Sequence, residues 1–236
     1  MTTRDQAPRK GRRRASHSMD AVLSEAVALL DEQGEQGLTF RALAARLGGG
    51  VASIYWYVSS KEELLDKATD HVLQGVVDKA RGFNGADDPI DDIRSIAQAL
   101  FDAVVDRPWL GTLLMRDTDA HTSGMQIYEL IGQQIMRLDL TPREAFGAVS
   151  AVTSFVIGTA TDLGQTPPAE LIEGRTNRNE FLSEAADGWR ALDPAQYPFM
   201  HFIVDEFDGH DDTEQFKAGL KLILEGLRLQ AGRAGA

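Results

Sequence analysis

At 236 residues the chain has room for one large or two small domains with a real core, and its 43% apolar content is that of an ordinary folded protein. No apolar run approaches the length of a bilayer span, and the basic N-terminus lacks the apolar stretch of a secretory signal. With no Cys there is no disulfide framework, thiolate metal site or thiol nucleophile, so the expectation is a cytoplasmic protein. The net charge of −12 is unevenly spread: residues 1–61 hold nine Lys or Arg against six acids (+3), and residues 62–236 hold fifteen against thirty (−15), a basic module on an acidic body that turns its basic end towards a polyanion.

Residues 1–15 form a basic arm with almost nothing apolar, centred on Arg9, Lys10, Arg12, Arg13 and Arg14. Such a segment is either a solvated tail or an arm that neutralises phosphates. His17 to Gln33 reads as a first helix with the apolar stripe Met19, Val22, Leu23, Ala26, Val27 and Leu30, and Gly34 stops it. Thr39 is placed to N-cap a second helix whose Phe40, Leu43, Ala44 and Leu47 recur at the spacing of a buried face. Gly48-Gly49-Gly50 then enforces a sharp turn.

A short helix from Val51 to about Tyr57 comes next, with Ile54 and Val58 four apart and facing the core. Tyr55, Trp56 and Tyr57 stand in a row, and three rings cannot all be buried on one helical turn, so some must face a partner. Two short helices around a tight turn are a helix-turn-helix, and that partner is double-stranded DNA. A DNA-reading motif this close to the basic segment favours the phosphate-neutralising arm, with Arg12, Arg13 and Arg14 as contacts. Val51 and Ala52, at the start of the reading helix, offer only apolar contact, such as to a thymine methyl. A linking helix runs from Lys61 to about Ala80, capped by Ser59 or Ser60, with Glu62 and Glu63 in its first turn.

The remainder is helical as well. Apolar periodicity predicts helices over Ile90–Val105, from Pro108 through Leu114, and over Gly124–Leu138. Thr141-Pro142-Arg143-Glu144 is a strong start for a helix to about Leu163 that is apolar around most of its circumference. Residues 164–178, rich in Pro and Gly, are expected to be a mobile connection. Three further helical stretches complete the chain: Asn179–Ala191, Phe199–Phe207 and Glu214–Leu229, the last with a stripe too wide for one neighbour. The fold class is all-α, with no alternating pattern that demands a sheet.

Enzyme chemistry has little support. The five His are scattered without metal-ligand spacing, and no Gly-x-Ser-x-Gly elbow or phosphate-binding loop ending in Lys-Ser or Lys-Thr occurs. No catalytic residue, metal or cofactor is assigned. The acidic pairs, such as Asp87-Asp88 and Asp211-Asp212, lack calcium-loop spacing and read as solvated surface.

The stretch Leu38-Thr39, Arg41, Leu43-Ala44, Leu47-Gly48, Ile54-Tyr55-Trp56-Tyr57-Val58, Lys61 and Leu64-Leu65-Asp66 resembles the DNA-binding region of the tetracycline-repressor (TetR) family. The likeness spans roughly residues 17–70, under a quarter of the chain. It implies a helix-turn-helix domain over 16–61 and a ligand-binding, dimerising body over 62–236. Thr39, Arg41, Val51, Ala52, Ser53, Tyr55, Trp56, Tyr57 and Lys61 would then meet DNA.

By the same resemblance, the helices near 141–163 and 214–229 form a four-helix homodimer interface. Two reading heads would then stand one helical turn apart, about 34–36 Å, on a near-palindromic operator. A small-molecule effector would occupy an apolar cavity for which Phe101, Val105, Trp109, Leu113, Met125, Tyr128, Phe155, Thr159 and Trp189 are candidate contacts. The family's tetracycline–magnesium site takes a His from each of two helices. Val77 stands near the place of the first, and the helix ending at Asp106 offers no second, which argues against tetracycline. The expected function is a ligand-responsive repressor. The alternatives are an architectural DNA binder without an effector, and a small-molecule carrier or enzyme that kept the head.

Overall fold

The structure, a computed structural model, describes residues 17–83, 85–116, 122–164 and 169–234. No strand occurs among the described residues. The helices are α1 (Met19–Gly37), α2 (Phe40–Arg46), α3 (Val51–Ile54), α4 (Lys61–Ala80), α5 (Pro89–Val105), α6 (Pro108–Arg116), α7 (Thr122–Met136), α8 (Pro142–Leu163), α9 (Ala169–Ile172), α10 (Arg178–Arg190), α11 (Pro198–Asp208) and α12 (Asp212–Ala234). The chain divides into two compact units, a head up to Leu64 and a body from Leu65, so the division falls inside α4.

In the head, Ser18 caps α1 by accepting from the Ala21 amide at 3.1 Å, and Thr39 caps α2 by accepting from the Ala42 amide at 3.1 Å. Val22, Leu23, Ala26, Val27, Leu29 and Leu30 of α1 are buried with Leu38, Leu43, Ala44, Ile54 and Val58, which makes a three-helix core. The backbone of α1 leaves helical geometry at Gly34 (φ 64°, ψ −172°), where a stop is expected, and then continues for one more turn to Gly37.

Of the three successive glycines, Gly48 carries the turn. Its φ of +65° is a left-handed conformation that costs a residue with a Cβ. Regular helix in α3 ends at Ile54, three residues before the expected end. Beyond it the Tyr57 amide donates to the Ile54 carbonyl at 2.9 Å, a tighter three-residue bond. That contraction carries the ring-bearing residues 55–57 through a turn and returns Val58 to the core.

In the body, α5, α6, α7 and α12 all pack on α8. A capping box starts α8: Thr141 Oγ1 accepts from the Glu144 amide at 3.4 Å, and the Glu144 carboxylate accepts from the Thr141 amide at 3.0 Å. Only Val149, Val152, Val156 and Ala160 of its 22 residues are buried. By length and composition α8 suffices to cross a bilayer, contrary to the expectation that no run approaches that length. Its small residues dilute the apolar run in sequence, but most of its length remains apolar enough to span.

The approach of α12 to α8 depends on Gly219: a Cβ there would lie 2.4 Å from Phe155 Cζ. The α10 and α11 helices pack chiefly on each other, with Trp189 stacked on Phe207 at 3.9 Å. Within the Pro- and Gly-rich 164–178 stretch, Ala169–Ile172 forms a helical turn that its composition did not predict.

Candidate functional site

The head presents its aromatic row unevenly. Ile54 and Val58 are sealed in the core, and between them Tyr55 and Trp56 are pushed outward. Trp56 is 87% exposed and Tyr55 60% exposed. Tyr55 is steadied by an edge-to-face contact with Phe40 of α2, with ring centroids 5.0 Å apart. Val51 and Ala52 are exposed, and Ser53 is half-buried with its hydroxyl donating to the Gly50 carbonyl at 2.6 Å.

Three of the residues expected to contact DNA serve the head itself. The Tyr57 hydroxyl donates to the His17 carbonyl at 2.7 Å, tying the end of the reading segment to the start of α1. The Lys61 ammonium donates to the Glu35 carbonyl at 2.7 Å and fixes the first turn of α4 against the end of α1. Thr39 is likewise engaged in its cap, whereas Arg41 is exposed with no partner among the described residues. Arg46 is held by Glu32 and, at 3.6 Å, by Glu25, both on α1. The Glu32 hydrogen bond, ahead of the charge attraction, raises its pKa. Arg12, Arg13 and Arg14 lie outside the described residues.

Within the body a cavity of about 780 Å³ opens among the body half of α4 and helices α5 to α8. Leu73, Leu100, Leu114, Ile127 and Ile157 form apolar walls, and Met115, Met125 and Phe146 stand at exposed positions around it. Tyr128, Ser150 and Ser154 add hydroxyls with no hydrogen-bond partner among the described residues. Thr153, also on the wall, gives its hydroxyl to the Val149 carbonyl at 2.9 Å. Glu129 is the one charged residue of the described lining, its carboxylate accepting from Gln133 Nε2 at 3.0 Å. The α4 wall is tied to α7 where the Ser123 amide donates to Asp70 Oδ1 at 2.7 Å.

Of the nine candidate ligand contacts, Met125 and Tyr128 line this cavity and the other seven do not. Phe101 and Phe155 both stack with Phe216, at 3.7 and 5.7 Å between ring centroids, so these rings serve the core. Leu113 is buried, Val105 faces outward near the end of α5, and Trp109 is half-buried against the core. Thr159 is half-buried on α8, and Trp189 belongs to the α10–α11 pair. Ser150 and Ser154 went unselected. Their signal was present: two hydroxyls four residues apart, on one face of α8. No cluster of three or more His, Asp or Glu among the described residues is placed to hold a metal ion.

Comparison with known proteins agrees with both halves of this arrangement. The family model described as "Bacterial regulatory proteins, tetR family" matches residues 22–68, and "Tetracyclin repressor-like, C-terminal domain" matches residues 82–231. The HTH-type transcriptional repressor DrrR1 of Streptomyces coeruleorubidus is 30% identical over 220 residues, covering 92% of this chain and 80% of that protein. The transcriptional regulator SCO7222, a TetR from Streptomyces coelicolor, is 37% identical with a TM-score of 0.78, over 91% of this chain and 99% of that one. The same fold recurs in ActR from Streptomyces coelicolor, solved in complex with actinorhodin: 21% identity, TM-score 0.75, 92% of this chain and 100% of that one. These relatives do not favour the architectural or carrier alternatives. The chain belongs to the TetR family of ligand-responsive transcriptional regulators.

Proposed function

We propose that the chain is a cytoplasmic homodimeric repressor whose heads read a near-palindromic operator and which leaves DNA when a largely apolar, uncharged or cationic molecule fills the body cavity. The observation that carries the reading is Trp56: an indole 87% exposed beside a fully formed core is a surface awaiting a partner. Tyr55 and Trp56 supply contact area to the duplex, Val51 and Ala52 meet base edges, and Arg41 meets phosphate. Residues 1–15 add phosphate contacts, so their removal flattens the salt dependence of binding.

Dimerisation is supported by the outward faces of α8 and α12, where Phe146, Leu222 and Leu229 are more than two-thirds exposed and Gly147, Ala151 and Gly226 leave room for a close helix. The effector's chemistry follows from the wall. Tyr128, Ser150 and Ser154 offer hydrogen bonds to hydroxyl or carbonyl groups. Glu129 favours a cation, and a lining with no Lys, Arg or His among the described residues gives an anion no counter-charge. A molecule lodged against Leu73 and the Asp70–Ser123 tie would shift α4, the helix that continues back to Lys61. A coupling of about 1–3 kcal/mol suffices to change operator affinity about 5- to 150-fold.

The experiment is footprinting on DNA flanking the protein's own gene, followed by titration of the complex with neutral, cationic and anionic apolar compounds. Protection of a near-palindrome that neutral or cationic compounds release supports the proposal. In Ser154→Phe, which fills the cavity, protection should persist and release should be lost. Protection without sequence preference, or release by none of the compounds that bind the body, would overturn it.

A further inference from the structure

The body holds a second depression with the opposite chemistry. A groove of about 460 Å³ lies among the last turn of α4, the middle of α5 and α12, within the size range of small-molecule sites. Three helices each bring one cation to its wall: Lys79 from α4, Arg94 from α5 and Lys217 from α12. One carboxylate, Asp102, faces them, and it accepts from Gln98 Nε2 at 2.7 Å. Over residues 62–236 acids outnumber bases two to one, thirty against fifteen, so a wall with three cations to one acid inverts the local balance.

The inversion is only partly relieved from within. Arg94 is paired with Asp91, and Lys217 donates to Glu214 at 2.7 Å, each with the acid three residues earlier on the same helix. Neither acid is part of the groove wall. The bond to Glu214 first, and then its charge with those of Asp211 and Asp102, raises the Lys217 pKa and keeps the ammonium charged at neutral pH. Lys79 has no partner among the described residues. Beneath the cations the floor is apolar: the ring of Phe83, with buried Ala99 and Leu220. Like charges converging from three separate helices repel one another, and an anion set between them converts that repulsion into attraction.

We infer that this groove is a second ligand site, separate from the effector cavity, for a small amphiphilic organic acid whose anionic head lies among Lys79, Arg94 and Lys217 and whose apolar part covers Phe83, Ala99 and Leu220. The α4–α8 cavity, with Glu129 as the one charge on its described lining, selects against such a molecule, so the body discriminates two ligand charges at two places. This assignment holds whether or not the cavity binds an effector.

The test is calorimetric titration of the full chain with decanoate, decanol and decyltrimethylammonium, and co-sedimentation with phosphatidylglycerol vesicles. Decanoate should bind once per chain, at least tenfold more tightly than decanol or the ammonium compound. Lys79→Gln with Lys217→Gln, both at exposed positions, should weaken decanoate tenfold or more at unchanged melting temperature. The cavity-filling Ser154→Phe should leave decanoate binding intact. Equal affinity for decanol, indifference to the double substitution, or loss of decanoate in Ser154→Phe would overturn the proposal. So would vesicle binding without decanoate binding, which would make the patch a lipid-surface contact. A lowered salt dependence of DNA binding in the double variant without decanoate binding would overturn it equally, by making the patch a phosphate contact for DNA.

Discussion

In the head, the large rings at Tyr55 and Trp56 stand in solvent over a core built from Val, Leu, Ile and Ala; in the body, Phe216 is fully buried and stacks with Phe101 and Phe155. The contrast follows from size. A three-helix unit ending at Leu64 has an interior wide enough for branched aliphatic side chains, and a four-residue helix such as α3 has one residue, Ile54, to bury in it. The body surrounds α8 with four other helices and has an interior that takes whole rings. Tyr55 and Trp56 are thus left for a partner, whereas in the body Phe101, Phe155 and Phe216 hold the fold and the cavity is finished with hydroxyls and methionines.

Substitutions on the two sides should therefore separate. The largest effect is expected for Phe216→Ala, which removes a fully buried ring from the stack and should cost about 3–5 kcal/mol in the denaturant transition of the body. A loss below about 1 kcal/mol would mean that the stack is not what holds α12 to the body. Next is Trp56→Ala. Its indole contributes contact area rather than core, so operator Kd should rise ten- to hundredfold, about 1.4–2.8 kcal/mol, with head stability changed by no more than about 0.5 kcal/mol. Equal losses of stability and affinity would erase the distinction between head and body.

Gly48→Ala tests the turn that presents those rings. A methyl there meets no atom within 4 Å, so the whole cost is the left-handed backbone at φ +65°, about 1–2 kcal/mol of head stability. Gly50, with φ −99° and nothing near its missing Cβ, should accept Ala without that backbone cost. If the two substitutions cost the same, the turn does not depend on Gly48 alone.

The two regions were also unequally legible in the residues. Helix starts were readable at Thr39 and at Thr141–Glu144, where a cap chemistry announces them, because those bonds are local; the Asn177–Glu180 box that starts α10 was passed over inside a Pro- and Gly-rich stretch. The division into outward Tyr55–Trp56 and inward Ile54–Val58 was readable for the same reason: four-residue spacing leaves the rings no other place. The early end of α3 was not, since it rests on a three-residue hydrogen bond at Tyr57 that either ending of the helix would tolerate in sequence.

The body's cavity was the hardest part. Phe101 and Phe155 have the same apolar character and helical period as a cavity wall, and periodicity cannot tell a ring facing another ring from one facing a void. Ser150 and Ser154 carried the better clue, because hydroxyls four residues apart share one helix face, where they need either a partner or a space. The groove at Lys79, Arg94 and Lys217 draws on helices far apart in sequence, so no local pattern announces it.

The smallest expected effect comes from Tyr57→Phe, and it bears on where reading surface gives way to core. By sequence Tyr57 belongs with Tyr55 and Trp56. In the fold its hydroxyl is given to the His17 carbonyl at 2.7 Å, and the residue is half-buried. Removing that hydroxyl leaves one carbonyl short of a donor at a partly wetted site, so head stability should fall by about 0.5–1.5 kcal/mol. Operator affinity, measured well below the melting temperature, should stay within about twofold of the parent, since the hydroxyl is already engaged away from the duplex. A tenfold loss of affinity at unchanged stability would move Tyr57 into the reading surface, and the tie to His17 would then have to open when the head meets DNA. The contrast between Trp56→Ala and Tyr57→Phe thus locates, within two adjacent residues, the point at which the head stops serving its own core and begins serving a partner.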